Sequence, residues 1–468
     1  MSRVSFLPSQ IPNDSDVVVV GAGVAGSLAA YLSARAGYRV LLADKERFPR
    51  MKVCGGCLNG AAVGVLEAVG AGCALERCCP VPIRDLRIHL SGRTARIPLS
   101  GSVVVARETF DQALTDLAVS SGAVFAEGMT AEVVPPCGER TRFSDRRSVR
   151  LTASADHVTD TTFSADAGHP ADRVSAHRSA DAVVTAKAVL VCDGLAHSSV
   201  RGFSEFRSIV RPGARVGAGI VCAIDESDSE LKLPDLQMAV CNSGYVGCVP
   251  RSDGRLNIAA AVNADLLQHQ PSGADPTTLS GMTQQSASRS SAAGRSPSAV
   301  AGSIVDAVTR VLREAGAPVP ENLSGTISGL PAPELVRGTP LLTRSTPTLA
   351  AERVFLLGDS TGYVEPFTGE GMAWALTAAV AVQPLVADVV ANGWSASSEE
   401  RWNAVFRRTI GGRQQICRLL TRSLRYPWLL DPLLAACRTF PSVTQLLIRR
   451  INRVPVTISA FPGSESRL

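Results

Sequence analysis

Near the start of the chain, apolar residues alternate between strand-like and helix-like spacing. Val17–Val20 is an unbroken β-branched run, which is typical of a strand buried on both faces of a parallel sheet. Residues 27–36 have the apolar spacing of a helix, Gly37 ends it, and residues 38–43 form a second apolar run. The pattern predicts a βαβ unit.

Three glycines in G-x-G-x-x-G spacing join the first strand to this helix. Gly21 allows a tight turn, Gly23 lets the backbone approach a pyrophosphate, and Gly26 lets the helix pack close to the strand. Asp44 follows the second run and is placed to accept hydrogen bonds from a ribose. Because strand, helix and acid all surround the glycines, the segment predicts a dinucleotide site.

Three later segments repeat the strand-then-helix order. Arg107 lies at a strand end before an amphipathic helix over residues 108–121. A buried strand ends at Asp193, and another ends at Gly358 and Asp359 before a loop and a long apolar helix that starts near Gly371. These segments indicate further parts of the same α/β domain.

The middle of the chain has the pattern of an antiparallel sheet. Residues 237–262 predict two strands around a turn at residues 252–254. Gly217 and Gly219 lack a third glycine and a following helix, so they predict a strand with a close backbone approach. Residues 137–182, without apolar period, and residues 268–302, of low complexity, are expected to be surface insertions.

Composition and charge exclude some classes of protein. The chain has 468 residues, 45% of them hydrophobic and 19% charged, which indicates a folded protein of more than one domain. Lys and Arg number 47 against 42 Asp and Glu, too small an excess to indicate nucleic-acid binding. We see no signal peptide and no long uninterrupted apolar span, so we expect a cytoplasmic protein.

Cys54 and Cys57 stand in C-x-x-C spacing, with Cys73 and Cys78 further on. The spacing leaves open a structural zinc site or a redox dithiol. The residues between the two pairs have helical spacing, which does not suit a zinc ribbon. We therefore expect no metal, and reduced, partly buried thiols.

Taken together, the ordered motifs resemble the flavoprotein family that includes geranylgeranyl reductases and p-hydroxybenzoate hydroxylase-like monooxygenases. The resemblance implies an α/β fold: a discontinuous, Rossmann-like FAD-binding domain, a β-sheet substrate domain and a helical C-terminal region. The implied ranges are 1–80, 105–204 and 340–395 for the FAD-binding domain, 81–104 and 205–339 for the substrate domain, and 396–468 for the helical cap.

The same resemblance implies roles for individual residues. Ala25 and Asp44 would contact the adenosine half of FAD, Arg107 the pyrophosphate and Ala131 the adenine. Lys52-x-Cys54-Gly55-Gly56 matches a segment that passes beside the flavin ring. The implied cofactor-binding residues are Gly21, Gly23, Ala25, Gly26, Asp44, Lys45, Cys54, Gly55, Gly56, Arg107, Ala131, Asp193, Gly358, Asp359, Gly369, Gly371 and Met372.

On the substrate side, the resemblance singles out Tyr245, in a segment that carries an aromatic motif ending in proline. Tyr245 faces the substrate or belongs to the core of its strand. The two-tryptophan pattern of flavin halogenases is absent there, which counts against halogenation. No catalytic residue can be named, although Cys54 is a candidate because of its place beside the flavin.

The resemblance implies hydride transfer from reduced FAD to a carbon–carbon double bond of an isoprenoid or other lipid. NADPH or a ferredoxin would be the electron donor. A monooxygenase on the same fold, and a non-catalytic flavin-fold protein that binds a lipid or partner, remain alternatives.

The C-terminal residues combine helix-period leucines with arginines, namely Arg418, Arg422, Arg425, Arg449 and Arg450. This region is expected to cap the FAD-binding domain. It is also compatible with peripheral contact to a bilayer, at the inner surface of the membrane.

Overall fold

The structure is a computed structural model that describes residues 11–136, 143–154, 181–267, 297–323, 336–365, 369–423 and 454. Within these ranges the strands are, in chain order, β1 (Asp14–Val20), β2 (Val40–Asp44), β3 (Cys57–Leu58), β4 (Val81–Leu90), β5 (Arg93–Val104), β6 (Val124–Glu127), β7 (Met129–Val133), β8 (Arg147–Ala153), β9 (Ala182–Val191), β10 (Ile209–Val210), β11 (Val216–Ala223), β12 (Asp235–Cys241), β13 (Gly244–Pro250), β14 (Arg255–Val262), β15 (Val336–Leu341), β16 (Arg344–Ser345), β17 (Ala350–Ala351), β18 (Val354–Leu356) and β19 (Gly362–Tyr363). The α-helices are α1 (Val24–Arg35), α2 (Gly60–Ala68), α3 (Gly72–Glu76), α4 (Arg107–Ser120), α5 (Pro297–Ala315), α6 (Gly371–Ala381), α7 (Gln383–Asn392), α8 (Ala396–Phe406) and α9 (Gly412–Ser423).

The first sheet has the strand order β17-β18-β9-β1-β2-β6, and β1 pairs in parallel with both β2 and β9. Val17–Val20 is buried at the centre of this sheet, as its apolar run predicts. The second strand of the βαβ unit begins at Val40, two residues after the predicted start, because residues 36–39 form the turn that leaves α1.

Helix α1 packs on the sheet through small residues. A Cβ placed on Gly26 would lie 1.8 Å from the carbonyl oxygen of Gly21, so the helix can approach β1 this closely only with glycine at that position. On its other side, Ser27 shares a buried hydrogen bond of 3.0 Å with Thr115 of α4. The contact fixes α1 between the sheet and α4.

The second sheet has the order β15-β11-β14-β13-β12-β4-β5-β3, with only β12 and β4 paired in parallel. Helix α5 covers one face with apolar residues such as Val308 and Val311. The other face, which includes Met238 and Tyr245, is directed toward the first sheet and its helices. The predicted α/β architecture, with a Rossmann-like unit, a second β-sheet and a helical C-terminal region, is confirmed.

Gly217 and Gly219 lie in β11 where the backbone closely approaches its neighbours, as predicted. A Cβ on Gly219 would lie 3.2 Å from the Cα of Val53, and one on Gly217 would lie 2.6 Å from the Oγ1 of Thr339.

The prediction of two strands in residues 237–262 was incomplete. A turn at residues 242–243 separates β12 from β13, so this stretch contributes three strands.

Two expected insertions also contain regular structure. Residues 137–182 were expected to lack apolar period, but β8 lies within them and pairs with β7 and β9. Its alternation of Val149 and Leu151, both fully buried, is the period-two signal of a strand. Helix α5 begins at Pro297, inside the second expected insertion. Residues 137–142, 155–180 and 268–296, including His157, His169 and His177, lie outside the described residues.

Sheet membership differs from the implied domain ranges at two places. Strand β3 lies within range 1–80 but pairs with β5 of the second sheet. Strand β15 pairs with β11 and continues to Leu341, past residue 339. The second sheet thus reaches into the expected FAD-binding segments at both points.

The C-terminal helices α6 to α9 follow one another closely, and α6 starts at Gly371 as predicted. Trp402 of α8 is fully buried and donates from Nε1 to the carbonyl of Leu356 at 3.2 Å, which ties α8 to β18. Within the described ranges, Gly371–Asn392 is long and apolar enough to cross a membrane, but 72% of its most apolar window is buried inside the protein. Arg425, Arg449 and Arg450 lie outside the described residues.

Gly26→Ala should destabilise the fold by about 3 kcal/mol, because the new methyl group meets backbone that cannot rotate away. Gly302→Ala is the matched control, since nothing lies within 4 Å of its Cβ position in α5. There the exchange should stabilise by about 0.5–1 kcal/mol through helix propensity. Urea unfolding of both variants measures the difference, and equal midpoints would show that the Gly26 contact is not tight.

Candidate cofactor and substrate site

A cavity of about 460 Å³ lies between the two sheets. It runs from the carboxyl ends of β1 and β2 to the inner face of the second sheet, and the segment of residues 50–55 forms part of its wall. In an α/β sheet, the carboxyl ends of parallel strands are the usual place for a ligand. This cavity is therefore the candidate site.

The glycine loop, residues 21–26, closes one end of the cavity. Gly21 has a φ of +97° and donates from its backbone N to Ala43 at 2.7 Å. Gly23 is the N-cap of α1, with no side-chain cap and no acidic residue in the first turn of the helix. The free N–H groups and the positive end of the helix dipole thus suit an anion.

Asp44 lies at the end of β2 beside this loop. Its Oδ2 accepts from the backbone N of Ala22 at 2.6 Å, and its Oδ1 accepts from Glu46 at 2.9 Å. Lys45 next to it is largely exposed and pairs with Glu46 at 3.6 Å. Asp44 therefore holds the glycine loop in place and also lines the cavity.

Three cations form what we call the cationic wall: Arg50, Lys52 and Arg107. Arg107 is buried and makes a bidentate ion pair with Asp111, with both N–O distances at 2.9 Å. Burial would lower the pKa of Arg107, but Asp111 and Cys54 together raise it above its ordinary value. Arg50 lies 3.5 Å from both Asp44 and Asp111. The sequence did not indicate Arg50 as a site residue, and it indicated no cofactor contact for the side chain of Lys52.

The segment that carries Cys54 is held between the two sheets. Asn257 of β14 donates to the carbonyl of Cys54 at 3.0 Å, and the thiol of Cys54 accepts from the backbone N of Gly56 at 3.4 Å. Cys54 and Gly55 line the cavity. Gly56 lies behind the wall, with a φ of +70° and its Cβ position 2.4 Å from the carbonyl of Val105.

The thiols of the C-x-x-C motif are not arranged as metal ligands. Across the described ranges, no group of three or more His, Cys, Asp or Glu could hold a metal ion. Burial raises the pKa of Cys57 to about 12 and that of Cys78 to about 11, which disfavours the thiolate that zinc and dithiol chemistry both require. Cys73 is exposed on α3.

On the opposite side, Asp193, Gly358 and Asp359 follow strands β9 and β18. Asp193 accepts from the Oγ of Ser199 at 2.8 Å and of Ser360 at 3.0 Å, so its carboxylate joins two loops of the wall. Gly369, Gly371 and Met372 complete this side at the start of α6. The N-terminus of α6 therefore also faces the cavity.

The far end of the cavity is mostly apolar. Its lining there comes from the second sheet and from the residues that follow β15, namely Leu236, Met238, Val249, Ala261 and Leu342. Tyr245 and Tyr363 add hydroxyl groups. Burial raises the pKa of both tyrosines, so both stay protonated in the neutral range.

Behind Tyr245, a buried charge pair supports this end. The guanidinium of Arg215 lies 5.6 Å from the centre of the Tyr245 ring and 3.7 Å from Oε2 of Glu365. Thr343 donates to Oε1 of Glu365 at 2.7 Å. On α9, Cys417 and Thr421 donate to the Glu365 carbonyl at 3.3 and 3.1 Å.

The structure brings most of the sequence-predicted site residues to this one cavity. Those that line it are Gly21, Gly23, Ala25, Asp44, Lys45, Cys54, Gly55, Arg107, Ala131, Asp193, Tyr245, Gly358, Asp359, Gly369, Gly371 and Met372. Gly26 and Gly56 lie behind it and act in packing. Arg50 and Tyr363 line it too, and only their nearness in sequence to the predicted segments could have indicated them.

The lining fits FAD. Gly23 leaves space where a side chain would stand, the α1 N-terminus and the two cations Arg50 and Lys52 adjoin that space, and the buried Nε of Arg50 has no hydrogen-bond partner among the described residues. These features suit a diphosphate, and the apolar end suits a ring system and a substrate.

A family model described as glucose inhibited division protein A matches residues 16–69, which span the βαβ unit and α2. A menaquinone reductase of Mycobacterium tuberculosis is 37% identical over 151 residues, 30% of this chain and 34% of that protein. A digeranylgeranylglycerophospholipid reductase of Methanopyrus kandleri is 38% identical over 108 residues, 23% of this chain and 26% of that protein. The chain thus spans about a third or less of the length of these curated relatives.

Among solved structures, a triple mutant of the flavin-dependent brominase Bmp2 superposes with a TM-score of 0.66, covering 96% of each chain at 15% identity. At that identity the likeness establishes the fold alone. Fold, glycine loop and relatives together define the class: this is the fold of FAD-dependent oxidoreductases.

Gly23→Ala should leave folding unchanged and weaken FAD binding roughly tenfold to 100-fold. Gly23 has a φ of −77°, and the nearest atom to its Cβ position is 3.6 Å away, so the folded protein accommodates a methyl group. The methyl group would instead occupy the space open to a phosphate. Titration of flavin-free protein with FAD, followed by flavin fluorescence, tests this; unchanged affinity would place the phosphates elsewhere.

Proposed function

We propose that this protein is an FAD-dependent oxidoreductase that reduces a carbon–carbon double bond of an isoprenoid or other lipid. The observation that carries the proposal is the continuity of the cavity. One end has the glycine loop and cations that suit a dinucleotide, the other end is apolar, and Cys54 and Gly55 lie where the two parts meet.

Reduction of a double bond adds a hydride and a proton to its two carbons, and reduced FAD, when bound, supplies the hydride. The chain provides the surroundings of that step. The glycine loop and cationic wall bind charge, the start of α6 directs a helix N-terminus at the cavity, and the apolar end excludes water and orients a lipid. Cys54 is a candidate contact at the junction, and we assign it no proton transfer.

The curated relatives support a lipid-like substrate. The two reductases are named for menaquinone and for digeranylgeranylglycerophospholipid, and both match over part of the chain only. By resemblance to this group, we propose NADPH or a ferredoxin as the electron donor.

A flavin-dependent monooxygenase is the second candidate. The observation in its favour is a solved structure described as a probable FAD-dependent monooxygenase from Pseudomonas aeruginosa, which superposes on 90% of this chain with a TM-score of 0.58 at 16% identity. The two candidates differ in whether oxygen is required, so one experiment separates them.

Flavin-loaded protein, reduced without oxygen, should be reoxidised when it is mixed with polyunsaturated prenyl lipids that carry no quinone, such as geranylgeranyl lipids. Visible absorbance follows the flavin, and mass spectrometry should show a lipid product heavier by two hydrogens. If the flavin stays reduced with every lipid and is reoxidised only after oxygen enters, yielding an oxygenated product, the monooxygenase replaces the reductase.

A lipid substrate has to enter from a membrane, and α9 offers a surface for this. Its inner face packs on the fold through Gln414, Cys417 and Thr421, whereas Ile416 and Leu419 are 48% and 68% exposed. Arg418 and Arg422 are exposed as well, and Arg422 follows Leu419 by about one helical turn on the outer face. Exposed aliphatic residues beside cations suit the surface of an anionic bilayer, so we propose a cytoplasmic protein in peripheral contact with the inner membrane surface.

The protein should pellet with phosphatidylglycerol-containing vesicles more than with pure phosphatidylcholine vesicles, and less at high salt. The double variant Ile416→Ser and Leu419→Ser should lower the bound fraction several-fold by removing apolar contact area. Leu233→Ser, at an exposed leucine before β12, is the control and should bind as the unaltered protein does. Equal binding by all three proteins would remove α9 from the contact.

A further inference from the structure

The glycine loop faces two cations across a short gap. Lys52 Nζ lies 3.6 Å, and a terminal nitrogen of Arg50 3.7 Å, from the position that a Cβ would take on Gly23. Gly23 also begins α1, whose first turn has no acidic residue. Two positive side chains and the free N–H groups of a helix therefore converge on one small region.

Lys52 has little compensation for its charge. Among the described residues, no carboxylate lies within 4.0 Å of its Nζ, while Arg50 and Arg107 lie close enough to oppose its protonation. Burial lowers the pKa of Lys52 most strongly, and Arg107 and Arg50 lower it further, while Asp359 and then Asp111 oppose this shift. An anion placed beside Gly23 would reverse this balance.

Arg50 and Arg107 differ in how their donors are used. Arg107 donates through two nitrogens to Asp111, so this side chain is engaged with the protein. Arg50 stacks on the ring of Phe48 at 4.8 Å, lies 3.5 Å from Asp44 and from Asp111, and keeps a buried Nε without a hydrogen-bond partner in the described ranges. Arg50 is therefore held in place while retaining capacity to donate.

We propose that Lys52, with Arg50 beside it, binds the diphosphate of the cofactor, whereas the guanidinium of Arg107 is committed to Asp111. This assignment departs from the role that the family resemblance implies for Arg107. It rests on the proposed function only in requiring that the cofactor is a dinucleotide, and not on the substrate or the reaction.

The first test is affinity. Flavin-free, full-length protein is titrated with FAD, and flavin fluorescence gives the dissociation constant. Lys52→Met should weaken binding about tenfold to 100-fold, as expected for the loss of a charge-assisted contact, and Lys52→Arg should retain most of the affinity. Lys232→Met, which removes the same charge from an exposed site away from the cavity, should bind FAD as the unaltered protein does.

The second test needs no variant. The unaltered protein is treated with an amine-acetylating reagent, and peptide mass spectrometry measures modification of Lys52. The neutral amine reacts, so a lowered pKa makes Lys52 reactive in the flavin-free protein. FAD, ADP and inorganic pyrophosphate should each protect Lys52, whereas riboflavin, which has no phosphate, should not.

The outcomes separate the possible failures. If the unaltered protein does not bind FAD, the cofactor assignment fails, and this proposal fails with it. If FAD binds equally well to Lys52→Met, or if riboflavin protects Lys52 as well as pyrophosphate does, Lys52 does not meet the phosphates, while the proposed function stands. If Lys52→Met does not fold, protection of the unaltered protein decides the question.

Discussion

The fully buried carboxylate of Asp111, with Asp44 beside Arg50, makes the cationic wall tenable. Arg50, Lys52 and Arg107 all lie at one side of the cavity, and like charges at such distances repel strongly when they are shielded from water. Asp111 is fully buried and pairs with Arg107 and Arg50. Although burial opposes its ionised form, Arg107 and Arg50 hold its pKa below the usual value. It can therefore stay ionised, and the net positive charge that remains suits an anionic ligand.

The segment that includes Cys54 connects the two sheets as well as lining the cavity. It emerges after β2 of the first sheet, passes under Gly219 and Asn257 of the second, and then forms β3, which pairs with β5. These contacts are tight at the backbone, so the segment has little freedom to move away from either sheet. The distance between the dinucleotide end and the apolar end of the cavity is fixed by the same few residues.

Local sequence patterns predicted much of this fold, because the signals were short-range. The β-branched run, the glycine spacing and the start of α6 each depend on neighbouring residues, and the structure has all three. Strand β8 was missed since its two inward residues, Val149 and Leu151, stand among arginines and serines. The turn between β12 and β13 was missed because it is short. Only two polar residues, Asn242 and Ser243, interrupt a stretch that otherwise reads as one apolar run.

The site was less predictable, since its geometry depends on contacts between distant residues. Glycines and acids that follow strands could be found by position. By contrast, the partner of Arg107 is set by which face of α4 is buried, although the spacing of Arg107 and Asp111 by four residues is a local sign of a pair. That Arg50 lies beside Asp44 and Phe48 depends on how the chain turns after β2, which no pattern in residues 45–50 reveals.

Glu365 joins parts of the molecule that are far apart in sequence. Its side chain receives Thr343 and faces Arg215 of the second sheet, and its backbone carbonyl receives Cys417 and Thr421 of α9. Glu365 also stands just before the residues that lead to Gly369 and α6. A shift of α9 would therefore be transmitted first to Glu365 and, through Arg215, toward the Tyr245 end of the cavity, so α9 is mechanically coupled to the cavity wall and is not a detachable cover.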